Sequence, residues 1–310
     1  LTKQSSFIIS LIVCLTIFSC TSDDYYTPIP EPQEIEPEEI SPVIFDIAEV
    51  PYQTLSDYNF FDGDLKDLSP VYGVLPYDLN ASLFSDYAKK KRFVWMPDDV
   101  SAAYVNDYSP LNFPIGTVLI KNFYYNNVQP ANDTRIIETR LMINKADGWI
   151  FANYIWNDQQ TEALLTTQST TRVISWKDIN NTIHTLDYRT PEVDFECLRC
   201  HSTFDNQNVN PIGIKPQNIN YNFNYSDGSK NQLTKLIAFG YLENNLPSQI
   251  ISIVDFKDTS KSIDLRVRSY FDANCAHCHI NGGDASGHNL RFAFNETIDP
   301  IKMGVTAHAA

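Results

Sequence analysis

The sequence predicts an α+β chain: an N-terminal antiparallel β-sheet domain followed by a mainly α-helical region. Three observations carry this expectation. Between Thr117 and Tyr188, five runs rich in β-branched and aromatic residues succeed one another at strand-like lengths. Beyond position 190 the signals become helical, with one apolar stretch opened by Ser262 and another stopped by Gly240. The second region also contains two Cys-x-x-Cys-His strings, Cys197 to His201 and Cys275 to His279.

In chain order, Phe7 to Phe18 forms an apolar run behind Lys3, the pattern of a secretory signal. Ile17-Phe18-Ser19-Cys20 resembles a bacterial lipobox, although Phe18 is larger than the usual occupant. Residues 1–19 are therefore expected to be a lipoprotein signal peptide and Cys20 the lipidation site. A plain signal peptide or a short membrane anchor is the alternative. Residues 20–44 are acidic and rich in Pro and Glu, which predicts an extended tether. The acidic stretch after Cys20 also resembles the surface-export signal of some lipoproteins. These features predict an exported protein, lipid-anchored to a membrane, either periplasmic or at the outer membrane and cell surface.

Residues 45–190 are the β-rich part. The expected strands run over Thr117 to Tyr125, Arg135 to Asn144, Trp149 to Trp156, Thr171 to Trp176 and Thr182 to Tyr188. Asp147-Gly148 between the second and third is a hairpin signal. Lys89-Lys90-Lys91-Arg92 is a dense basic run, expected to be a solvated face or a docking point for an acidic partner. No Ser-His-Asp set, P-loop or dinucleotide fingerprint stands in this stretch. The net charge of −15 argues against a nucleic-acid partner.

The chain has 6 cysteines, and all have a place: Cys14 and Cys20 in the N-terminal run, four in the strings. Two thiols three positions apart suit the two vinyl groups on one porphyrin edge, and the next residue sets an imidazole under the iron. The strings thus predict two covalent haem c groups, one on Cys197 and Cys200 with His201 as proximal iron ligand, the other on Cys275 and Cys278 with His279. A four-cysteine zinc site would place its pairs closer than the 75 positions between Cys200 and Cys275, and leaves the paired histidines unexplained. A thioredoxin-type pair would need a βαβ context.

Residues 191–260 form the first haem-binding region and 261–310 the second. Ser262 to Asn274 is expected to be the helix leading into the second string, and Asn231 to Phe239 a short helix between the sites. Gly282-Gly283 and Gly287 suit a tight loop after the second string. Pro211 is a candidate to offer its carbonyl to the proximal imidazole of the first, with a plain turn proline as the alternative. The distal iron ligands are not readable. Met96 and Met142 look like core residues, while Met303, His184, His277, His288 and His308 are further options. Only 31 residues follow His279, so the second region is expected to be C-terminally incomplete.

Several stretches together resemble a family of bacterial di-haem c-type cytochromes, long described as conserved hypothetical proteins and often encoded beside a parallel β-helix repeat protein. They are Tyr77-Asp78-Leu79-Asn80, Leu83-Phe84-Ser85-Asp86-Tyr87, Arg92-Phe93-Val94, Phe113-Pro114-Ile115-Gly116-Thr117, Ile137-Glu138-Thr139-Arg140 and Trp156 to Thr161. Both strings match, with Pro211-Ile212-Gly213 after the first and Gly282-Gly283 after the second. The resemblance implies two haem sites and a longer C-terminus with a methionine-containing segment. The expected function is electron transfer to or from a redox partner protein, an electron carrier rather than a catalyst. The alternatives are a haem enzyme, such as a di-haem peroxidase or the cytochrome subunit of a dehydrogenase, and a surface- or glycan-binding β domain fused to a cytochrome.

Overall fold

A computed structural model describes residues 39–203 and 209–305. The signal peptide, Cys20, most of the tether and His308 lie outside the described residues. A short antiparallel pair, β1 (Phe61–Asp62) and β2 (Ser69–Pro70), precedes the main sheet. That sheet is built from β3 (Leu75–Tyr77), β4 (Lys89–Trp95), β5 (Val118–Val128), β6 (Asp133–Lys145), β7 (Gly148–Trp156), β8 (Ala163–Thr166), β9 (Thr171–Lys177) and β10 (Ile183–Arg189). Its order is β10-β9-β5-β6-β7-β8, with β4 also on β5 and β3 on β4. The five strands expected from β-branched and aromatic runs are β5, β6, β7, β9 and β10. The β6–β7 hairpin turns at Asp147-Gly148, where Gly148 has φ +115° and Lys145 pairs with Gly148. β4 escapes such a reading because half of it is the Lys89 to Arg92 run.

Alternation splits that basic run. Lys89 and Lys91 are exposed, Lys90 is half-buried, and Arg92 is buried and paired with Asp78. The four residues do not form one solvated face.

The expected mainly α-helical second region is overturned. Beyond residue 190, the described helices are α1 (Leu198–His201), α2 (Pro216–Ile219), α3 (Gln232–Ala238) and α4 (Ile263–Asn274), with a π-helical turn at Val193–Cys197. A hairpin of β11 (Asn222–Tyr225) and β12 (Gly228–Asn231) interrupts them. Strand, at 31%, outweighs helix, at 15%, so the chain is mainly β rather than α+β with a helical cytochrome region. Prolines at 191, 211, 216 and 247 and runs of Asn limit helix length. The apolar residues of this region are also spent on the sheet instead of on one another.

That packing positions the site. One sheet face buries Phe93, Ile120, Leu141, Ala152 and Trp156 with Leu55, Tyr58 and Phe60 from the N-terminal segment. The other face brings Val94, Leu119 and Met96 against Ile214, Leu233, Leu236 and Leu242 of the C-terminal part. Gln232 is fully buried and ties the layers: its amide donates to the carbonyls of Asp78 and Ile219 and its carbonyl accepts from the Asp78 N–H at 2.8 Å. The two Cys-x-x-Cys-His strings lie on this second side of the sheet.

Candidate functional site

The first string follows β10 directly. Val193 N–H donates to the Thr167 carbonyl at 3.0 Å, anchoring the π-helical turn, and Arg189 pairs with Glu196 at 2.9 Å. α1 then carries Cys200 and His201. The Asn210 N–H donates to the His201 carbonyl at 2.8 Å, closing the loop behind the string. Across it, His201 Nδ1 lies 2.8 Å from the Asn210 carbonyl oxygen. That oxygen can only accept, so Nδ1 carries the proton and Nε2 keeps its lone pair. The expected acceptor was the carbonyl of Pro211; the carbonyl one residue earlier takes the role. Burial lowers the His201 pKa to about 4, against the opposing pull of the Asn210 carbonyl, so the ring is neutral near pH 7. Phe151 of β7 stands edge-on to it, with ring centroids 5.1 Å apart.

The second string leaves the end of α4. Ser262 caps that helix by accepting from Leu265 N–H, and Asp264 sits in its first turn. Cys275 N–H donates to the Phe271 carbonyl at 2.9 Å, and His279 N–H to the Cys275 carbonyl at 3.1 Å. The loop then folds back so tightly that a Cβ on Gly283 would come 2.4 Å from the Cys278 carbonyl oxygen. Only glycine fits there. The His279 ring lies 4.7 Å from Phe292 and 6.3 Å from His288 between centroids. Its Nδ1 is buried with no hydrogen-bond partner among the described residues.

The two strings meet. Ligand atoms of Cys200, His277 and Cys278 all lie within 4.8 Å of one another, and Arg199 pairs with Asp284 at 2.9 Å. Burial raises the Cys197 and Cys275 thiols above their ordinary value. Cys278 is pushed up to about 12, by burial first and then by Cys200 beside it.

Two open spaces flank this junction. The first, of about 180 Å³, lies between the strings and the sheet, and Cys197, Cys200, His201 and His277 reach it. The second, about 710 Å³, opens on the other side of Cys200, His201 and His277. Pro211 and Ile212 line both, and the Gly213 turn, with φ +92°, packs so close that a Cβ would meet Leu79 at 2.8 Å. Small-molecule sites typically span ~300–1,000 Å³; the second space lies within that range and the first below it.

The distal candidates separate. Met96 is buried in the core, as the sequence suggests. Met142 packs against the same core, as expected, and also lines the first cavity. His184 bonds Asp178 at 2.9 Å on β10. His277 reaches both cavities, and burial lowers its pKa. Sequence reasoning passed over the sheet wall of the first cavity, which carries Arg92, Lys121, Arg140 and Asn153. The available signal was Lys121 directly after the apolar Val118-Leu119-Ile120 run, and Arg140 directly before Leu141-Met142-Ile143. Lys215 enters the same cavity and pairs with the buried Asp272 at 3.0 Å, and Asp272 accepts from the Phe294 N–H.

No protein-family model, no curated protein and no solved structure matches this chain.

Proposed function

We propose that this chain is an exported di-haem c-type cytochrome that relays electrons. Cys197, Cys200 and His201 hold one haem, and Cys275, Cys278 and His279 hold the other. The observation that carries the reading is the convergence of two strings 75 residues apart in sequence on one junction between two cavities. The donor set fits the group: a neutral His201 with Nε2 free, thiols four positions and one position before it, and apolar walls from Leu119, Phe151 and Met142. A bound haem supplies an iron that gains and loses one electron. The chain's part is to attach it, orient the imidazole through the Asn210 carbonyl and keep water from the ring edge. The motif resemblance from Tyr77 to Arg291 points the same way. Export, the lipid anchor at Cys20 and an unidentified redox partner protein belong to the same proposal.

The test is co-expression of the full chain with c-haem attachment machinery, followed by intact-protein mass spectrometry and a haemochrome assay. Two haems are expected in the wild type and one in Cys197→Ser/Cys200→Ser or in Cys275→Ser/Cys278→Ser. A wild type carrying none would overturn the reading.

One specific observation favours a second reading. Cys200, His277 and Cys278 present two sulfurs and a nitrogen at a spacing suited to a zinc ion with one open position. The two readings exclude each other, because a cysteine joined to porphyrin has no thiolate to give. Stoichiometric zinc in a haem-free protein, lost in His277→Ala, would favour the ion.

A further inference from the structure

The sheet wall of the first cavity holds a lysine with no hydrogen bond or ion pair among the described residues, on which Glu138 acts only through space. Register aligns Arg92 of β4, Lys121 of β5, Arg140 of β6 and Asn153 of β7 in one line across four strands. Neighbours in such a line stand ~4.8 Å apart in the backbone, and like charges directly opposite repel. All four side chains face the cavity. Arg92 is answered by Asp78 and by the Ser82 hydroxyl. Arg140 is answered by Glu138, which accepts from both Nε and Nη2. Lys121, between them, has no hydrogen bond or ion pair among the described residues; its ammonium rests 4.8 Å from the centre of the Phe123 ring. Burial first, and then Arg92, Arg140 and Lys90, hold its pKa well below the ordinary value. At the end of the line Asn153 is 2% exposed, and neither its amide nitrogen nor its oxygen has a partner among the described residues. An ammonium and an amide left bare in one wall cost free energy unless a polar, anionic occupant completes it.

The position of the line identifies that occupant. Arg140 is near enough to Cys197 to act on its thiol, and Lys121 and Arg92 lie one and two strands farther along. A porphyrin joined through its vinyl edge carries its two carboxylates on the opposite edge. We propose that Lys121, flanked by Arg92, receives a propionate carboxylate of the haem held at Cys197 and Cys200. This rests on the di-haem reading above. A positive charge paired to that propionate favours the reduced form of the haem that carries it.

The experiment uses the full-length holoprotein as wild type, Lys121→Met, Lys121→Gln and Lys121→Arg. Haem content is measured first: a wild type without two haems overturns the di-haem reading itself, independently of Lys121. With two haems in place, potentiometric titration and redox-difference infrared spectra are recorded on protein whose propionates are ¹³C-labelled. Lys121→Met and Lys121→Gln are expected to lower the midpoint potential of one haem, leave the other unmoved and shift one set of labelled carboxylate bands. Lys121→Arg is expected to restore both. Unchanged potentials and carboxylate bands in either loaded neutral variant overturn the proposal. So does conversion of one haem to high spin in those variants, which would make Lys121 an iron ligand. Wild-type potentials that move with added acetate or phosphate would also overturn it, assigning the wall to a free anion.

Discussion

At the scale of single residues, the cavity wall depends on charges that are buried in pairs. Glu138 is fully buried on β6, accepts from Arg140 at 3.0 Å and from the Tyr188 hydroxyl at 2.6 Å, and has no water to fall back on. Burial works against the Arg140 charge, but Glu138 overrides it and raises the Arg140 pKa. Removing one partner strands the other, at a cost of about 3–5 kcal/mol, whereas neutralising both is far milder. Arg140→Met should therefore lower the urea midpoint strongly, and Glu138→Gln added to it should recover most of the loss. A double variant as unstable as the single one would show that Arg140 matters through packing alone. An exposed carboxylate behaves differently. Asp227 accepts from Lys230 and Lys235, whose hydrogen bonds lower its pKa from 3.8 to about 2. Because the folded value is the lower one, its stabilisation is present above pH ~4 and disappears as pH falls through about 2. Urea midpoints of wild type and Asp227→Asn should differ at pH 5 and converge at the acid end; a gap that persists there would contradict the assignment.

At the scale of elements, α4 shows a local signal that tertiary structure obeys. Ser262 at its cap, Asp264 in its first turn and a 12-residue span are all visible in the sequence, and the helix runs Ile263–Asn274. Ser262→Ala should cost about 1 kcal/mol, read as a lower thermal midpoint, and its effect should reach Cys275, whose N–H bonds the last turn. The α3 cap is equally visible, with Asn231 accepting from Leu233 and Thr234 N–H groups. The strands β5, β6, β7, β9 and β10 announce themselves because their β-branched and aromatic residues have no other use. β4 does not, since propensity disfavours Lys in strands and only pairing with β5 makes the run extended. The expected helical region failed for a related reason. Helix signals are local, and a few good caps say nothing about the turns between them, where Pro191 and Pro211 leave the chain to follow the sheet. The line Arg92, Lys121, Arg140, Asn153 is the least legible feature of the site. It exists only through the register of four strands, and no spacing within one strand encodes it.

At the scale of the whole molecule, the sheet serves as the plate on which two distant strings are brought together. Long antiparallel strands supply a wide second face, α2 and α3 pack on it through Ile219, Leu233 and Leu236, and Asp272 of α4 is held by Lys215 at the start of α2. The strings then close on each other at Cys200 and Cys278. This arrangement has a consequence for the chain before any cofactor is attached. With ligand atoms within 4.8 Å across the junction, mild oxidation should join Cys200 to Cys278, in competition with a bond inside either string. The bridge would close a loop of about 78 residues, which in the chain-entropy model stabilises by roughly 4.5 kcal/mol. It should form slowly at neutral pH, because the Cys278 thiol is pushed up to about 12 and the thiolate is the attacking species, and faster as pH rises. Peptide mapping of oxidised, haem-free protein should recover a Cys200–Cys278 cross-linked pair, and oxidised protein should unfold at higher urea than reduced. Recovery of Cys197–Cys200 and Cys275–Cys278 bonds alone would mean that the strings do not approach each other in solution. The cross-linked form should in turn refuse haem at both strings until reduced, since one bridge removes a thiol from each.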